Sequence, residues 1–116
     1  MAKQIIGNLY ISDAENTKNI EEEQIDKVIS VCEEEYSTDA LNESVKDVIR
    51  ARVMRKTVCV HCPDGFERSG VVCIAALGIV EGMTYDHALA RVRNAVTMLP
   101  SKKMLEDAKQ FIEKRR

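Results

Sequence analysis

No stretch of this 116-residue chain is apolar for long enough to cross a bilayer. The longest run, residues 71–80, is well short of the roughly twenty residues a spanning helix needs. Nothing reads as a signal peptide, an internal repeat or a low-complexity linker. Charge of neither sign prevails: 17 basic residues face 19 acidic ones, the net charge is −2 and the sequence pI is about 5.7. The chain therefore carries no electrostatic demand for nucleic acid or for an anionic membrane. A disulfide framework is also absent, since the four cysteines show no regular spacing. With only His61 and His87 to add to them, ligands for a structural zinc are sparse. What remains is a single domain, residues 1–116, large enough for one core, with no metal or other cofactor expected.

The informative stretch is residues 58–70. It opens as an apolar β run, passes through a short loop carrying Gly65, and enters a long apolar helix. Cys62 then stands at the end of a buried strand and Arg68 at the mouth of a helix, with five residues between them. Such a loop (Cys62, Pro63, Asp64, Gly65, Phe66, Glu67, Arg68) turns backbone N–H groups inward, where they and the helix dipole attract a tetrahedral oxyanion. Gly65 lets the backbone approach a phosphoryl oxygen closely. Arg68 offers a planar fork for two such oxygens. At the base of this cradle Cys62 is favoured as the thiolate, the nucleophilic form, and Ser69 is placed to hydrogen-bond its sulfur. Two plainer readings compete. Cys62 is a buried core thiol without chemistry, or Cys59 and Cys62 form a redox or metal pair. Strand alternation opposes the second, because residues three apart point to opposite faces.

His61-Cys62 followed by five residues and Arg68-Ser69, with Gly65 inside, resembles the signature of the cysteine-dependent protein tyrosine and dual-specificity phosphatases. The chain is most similar to the small dual-specificity members. The resemblance implies that Cys62 is the nucleophile, Arg68 the phosphate clamp, Ser69 the aid to the second step and His61 a group behind them that orients the loop. It also implies a small α/β fold with a mainly parallel central sheet flanked by helices, and a phosphorylated protein or peptide as substrate. A phosphate-monoester hydrolase of this kind, with a reactive thiol, fits a reducing compartment and a cytoplasmic location.

One expected part is missing. Family members carry an extra strand and a loop whose aspartate protonates the leaving oxygen. Here the strand expected over residues 25–32 runs almost at once into a helix beginning near Asp39. Asp39 is the first candidate acid. Glu33, Glu34 and Glu35 are the alternatives, and a chain without an acid, cleaving only good leaving groups, is another. The RNA 5′-triphosphatases of the same fold do not rely on that aspartate, but Asp64 and Glu67 disfavour substrates bearing several phosphates. The third reading is a phosphate-binding domain without turnover that forms a homodimer through an exposed sheet edge. Cys32, on the neighbouring strand, is a more plausible disulfide partner for Cys62 than Cys59.

Elsewhere the pattern predicts two short strands around Gly7-Asn8, and a helix through Ile20 capped by Ser12 or Asp13. The next strand, residues 25–32, is expected parallel to residues 57–61. A helix capped by Thr38 or Asp39 has the stripe Leu41, Val45, Val48, Ile49 and Val53. Its basic end, Arg50, Arg52, Arg55 and Lys56, is expected at the opposite pole from the Cys62 loop. A buried helix over residues 69–81 ends at Gly82. Thr84 caps the next helix, to about Thr97, and Pro100 and Ser101 begin the last, with Met104, Leu105, Ala108, Phe111 and Ile112 inward. The opening Leu-Tyr-Ile strand and the run from Met83 to Arg93 extend the family resemblance along the chain.

Overall fold

Among the described residues, four strands and four helices follow one another in the order β1 (Lys3–Ile6), β2 (Leu9–Asp13), β3 (Lys27–Ser30), α1 (Thr38–Val53), β4 (Val58–Cys62), α2 (Glu67–Val80), α3 (Tyr85–Ala95) and α4 (Lys102–Lys114). The structure is a computed structural model, and it describes residues 3–13, 25–31, 37–62 and 66–115. The strands form one sheet in the order β1-β2-β4-β3. β1 and β2 make the expected hairpin around Gly7-Asn8, with Gly7 at φ +49 as the first residue of the turn. β2 and β3 both run parallel to β4, so the α/β architecture and mainly parallel sheet are as the sequence implies.

β4 lies at the centre because it can be buried on both faces. All five of its residues are buried, as a parallel strand rich in valine should be. The strand is offset by one residue from the expected 57–61. Thr57 instead locks the register of its neighbour: its carbonyl accepts from the N–H groups of Asp26 and Lys27 at 2.9 and 3.0 Å, and its own N–H donates to Asp26 Oδ2 at 2.9 Å. β3 is shorter than residues 25–32, though Val31 N–H still donates to the His61 carbonyl at 2.8 Å. Ser12 and Asp13 belong to β2, and the helix through Ile20 that one of them was expected to cap lies outside the described residues.

α2 is the hub of the helical layer. Residues 69–78 are buried without interruption, and the helix packs against β4 and against α1, α3 and α4. Its approach to α4 is set by Gly78, where an added Cβ would collide with two side-chain carbons of Ile112. Gly78→Ala is therefore expected to destabilise the fold. Helix propensity favours alanine by about 1 kcal/mol, but overpacking against a stiff β-branched side chain costs about 1–3 kcal/mol. A net loss of about 1 kcal/mol in urea unfolding is expected, and a more stable variant would show that Ile112 yields freely. Gly82, at φ +64, closes α2 as predicted.

Two expectations for α1 need correction. Its cap is Ser37, not Thr38 or Asp39: Ser37 is extended and its Oγ accepts from Ala40 N–H at 3.1 Å. Thr38 is already helical, and its hydroxyl donates to Asp107 Oδ2 on α4 at 2.9 Å, pinning the start of α1. At the other end Val53 is 72% exposed. At about 100° per residue it falls some 120° round the helix from Leu41, and Ala51 completes the buried stripe instead. Thr84 and Ser101 cap α3 and α4 as expected, accepting from His87 and Met104 N–H. α3 ends at Ala95, two residues early. The last stripe is as read, with Ala108, Phe111 and Ile112 buried and Met104 and Leu105 partly so.

Candidate active site

Two elements meet at the carboxyl end of the sheet, where ligands bind in open α/β folds. β4 delivers His61 and Cys62, and α2 opens at Glu67 directly beyond the loop. Phe66 occupies the cap position of α2 and supplies no side-chain hydrogen bond to it. A helix start leaves its first N–H groups without intrahelical partners. One of them, the N–H of Ser69, donates to Cys62 Sγ at 3.5 Å, and the thiol lies 3.3 Å from Ser69 Oγ. The sulfur thus stands where a capping oxygen would, at the positive end of the helix dipole. Cys62 is 1% exposed. Arg68, half-buried, lies in the same first turn, one residue before Ser69.

The three described cysteines, Cys59, Cys62 and Cys73, are thiols rather than disulfides. Cys73 is wholly buried in the middle of α2. Burial first, then the nearby Cys59 and Cys62, push its thiol far above the ordinary value, so it stays protonated. Cys59 is equally inaccessible and sits on β4 three residues before Cys62. Cys32 lies outside the described residues, as do Glu33, Glu34, Glu35, Pro63, Asp64 and Gly65. Among the described residues no three of His, Cys, Asp and Glu are grouped to hold a metal.

His61 is 8% exposed, and burial lowers its imidazole below the ordinary pKa, keeping the ring neutral. Its Nε2 lies 2.6 Å from Ser30 Oγ on β3, and the two residues are also register partners. Ser30 has no motif to announce it in the sequence. Asp13 is a second residue that sequence reading leaves aside. The parallel register of β2 with β4 sets its Cα opposite that of Cys62, a placement that only strand pairing reveals. Asp39 is exposed in the first turn of α1. Because α1 follows β3, its start lies toward the same sheet edge as Cys62. At the far pole Arg52 pairs with Glu81 at 2.6 Å, tying the end of α1 to the end of α2. The basic cluster is therefore remote from Cys62, as expected.

No family model matches the sequence, and no curated protein is significantly similar to it. Solved structures are. Human DUSP28 superposes with a TM-score of 0.82 at 14% identity, over 98% of this chain and 94% of that one. A leucine-rich repeat and phosphatase domain protein from Entamoeba histolytica gives 0.79 at 17% identity, over 97% and 91%. Tk-PTP in its active form gives 0.73 at 24% identity, over 99% and 97%. The chain has the dual-specificity phosphatase fold. Within that fold the strand–loop–helix ending in Ser69 is the feature the sequence had singled out, and the four-stranded sheet and four helices match the neighbours over nearly their whole length. None of the described helices is long and apolar enough to cross a membrane.

Proposed function

We propose that the chain hydrolyses phosphate monoesters on protein tyrosine, and on serine or threonine, through a phosphocysteine intermediate. The observation that carries this reading is Cys62 Sγ held against the N–H and hydroxyl of Ser69 at the start of α2, with Arg68 in the same turn. The thiolate attacks phosphorus, the P–O ester bond breaks, and the leaving oxygen takes a proton from an aspartic acid. Water then attacks the thiophosphate and releases inorganic phosphate. Ser69 supports the departing sulfur by turning its hydroxyl to donate to it. His61 orients the loop from behind. The phosphatase fold of the neighbours supports the reaction class, and the remote basic cluster gives no support to an RNA 5′-triphosphatase.

Two aspartates compete to be the proton donor. Asp39 is the sequence's candidate, on the exposed first turn of α1, and the β2–β4 register adds Asp13. General acid catalysis contributes about 10²–10⁴-fold, and it matters most when the leaving oxygen is basic. The asparagine variant of the true donor is therefore expected to lose about a hundredfold or more on phenyl phosphate or phosphotyrosine, and little on p-nitrophenyl phosphate. Asp39→Asn and Asp13→Asn measured on this leaving-group series decide between the two. If neither variant changes its slope, neither carboxyl is the acid. Turnover of p-nitrophenyl phosphate that survives loss of Cys62 would overturn the whole reading.

A further inference from the structure

We propose that Ser30 is a positioning residue of this site, its hydroxyl anchoring the His61 ring and thereby the strand end that presents Cys62. His61 is buried, and its Nδ1 has no hydrogen-bond partner among the described residues. Among the described residues, the contact between Ser30 Oγ and Nε2, at 2.6 Å, is therefore the hydrogen bond that holds the ring. A hydroxyl suits a neutral imidazole because it can donate or accept, and so holds either tautomer. Two features carry the effect onward. Val31 N–H donates to the His61 carbonyl at 2.8 Å, so Ser30 and its successor grip both the ring and the main chain of the residue before Cys62. Beyond it, the sulfur's contacts with Ser69 are 3.3 and 3.5 Å, so a shift of a few tenths of an ångström at the strand end weakens them. A buried ring that loses its hydrogen-bond partner leaves a second nitrogen unsatisfied, and relief comes by rotation or by a shift of the strand.

Ser30 is itself exposed at the sheet edge, so replacing it creates no cavity. The inference rests on Cys62 as the reactive sulfur of the proposed phosphatase, but its test needs no turnover. Alkylation of Cys62 by iodoacetamide, followed by peptide mass mapping from pH 5 to 9, reads the thiolate directly. The charged and titratable groups on the elements around Cys62 are Cys59 and His61 on β4, Tyr10 and, in register with Cys62, Asp13 on β2, and Glu67, Arg68 and Cys73 on α2. On β3, Lys27 pairs with Val58 at the other end of the strand. None is changed by the substitutions at Ser30.

Ser30→Ala is expected to slow alkylation about 3- to 10-fold at pH 6, with the rates converging at pH 9. Ser30→Thr, which keeps the hydroxyl and suits a strand, is expected to restore the parent profile. His61→Asn should reproduce the defect, and adding Ser30→Ala to it should change nothing further. A parent-like profile for Ser30→Ala, a threonine that fails to restore, or additive defects would each overturn the inference. Alkylation that depends on Ser30 in a protein without Cys62-dependent turnover overturns the phosphatase reading alone. Turnover with alkylation indifferent to Ser30 overturns this inference alone.

Discussion

Cys62→Ser is expected to abolish turnover of p-nitrophenyl phosphate, with kcat reduced by about 10⁴-fold or more, while phosphate still binds. Removing a catalytic nucleophile leaves only the contribution of the binding groups, and losses of this size follow. The serine hydroxyl is not ionised near neutral pH and is a far weaker nucleophile than a thiolate. Folding should change little, because the hydroxyl meets the same Ser69 groups at the start of α2. Phosphate binding, measured by calorimetry, is expected to rest on α2 and Arg68 and so to survive within a few fold. Cys73→Ala is the informative control. Its thiol is buried and held protonated, so turnover should persist even as stability falls. Full activity in Cys62→Ser would mean that some other group carries the chemistry.

Arg68→Lys is expected to lower kcat/KM by about 10²–10³-fold on the same substrate. The charge is kept, but a planar fork suited to two oxygens at once is replaced by a single ammonium. Loss of one preorganised donor to a developing oxyanion is commonly worth about 3–4 kcal/mol, and that corresponds to the fold-change given. The substitution leaves α2 intact. Arg68 stands in the first turn of the helix, half-buried, and lysine is nearly as good a helix former. The far-ultraviolet circular dichroism and melting temperature should therefore stay close to the parent's while affinity for phosphate falls. Parent-like kinetics in the lysine variant would show that charge alone suffices and that no bidentate clamp operates.

Much of this molecule is written locally. The apolar run from Val58, the loop, and the continuous apolar helix after Arg68 are contiguous in the chain. The strand, the helix start and the juxtaposition of Cys62 with Ser69 follow from residues only seven apart. Caps at Thr84 and Ser101 and the left-handed Gly82 are equally local. Short-range spacing is what a single sequence displays, because helix period, strand period and capping chemistry operate within a few residues.

What the tertiary structure decided involves partners far apart in the chain. Thr38 is not a cap because its hydroxyl goes to Asp107, 69 residues away. Ser30 reaches His61 across 31 residues, once Asp26 and Thr57 have set the register of β3 on β4. Asp13 comes level with Cys62 only when β2 pairs parallel to β4. Cys62, Arg68 and Ser69, the residues proposed to carry the chemistry, were legible in the sequence itself, being one short stretch of chain. The partner of the His61 ring, and which aspartate comes level with Cys62, depend on strand register, which a pattern of side chains does not encode until the strands are paired.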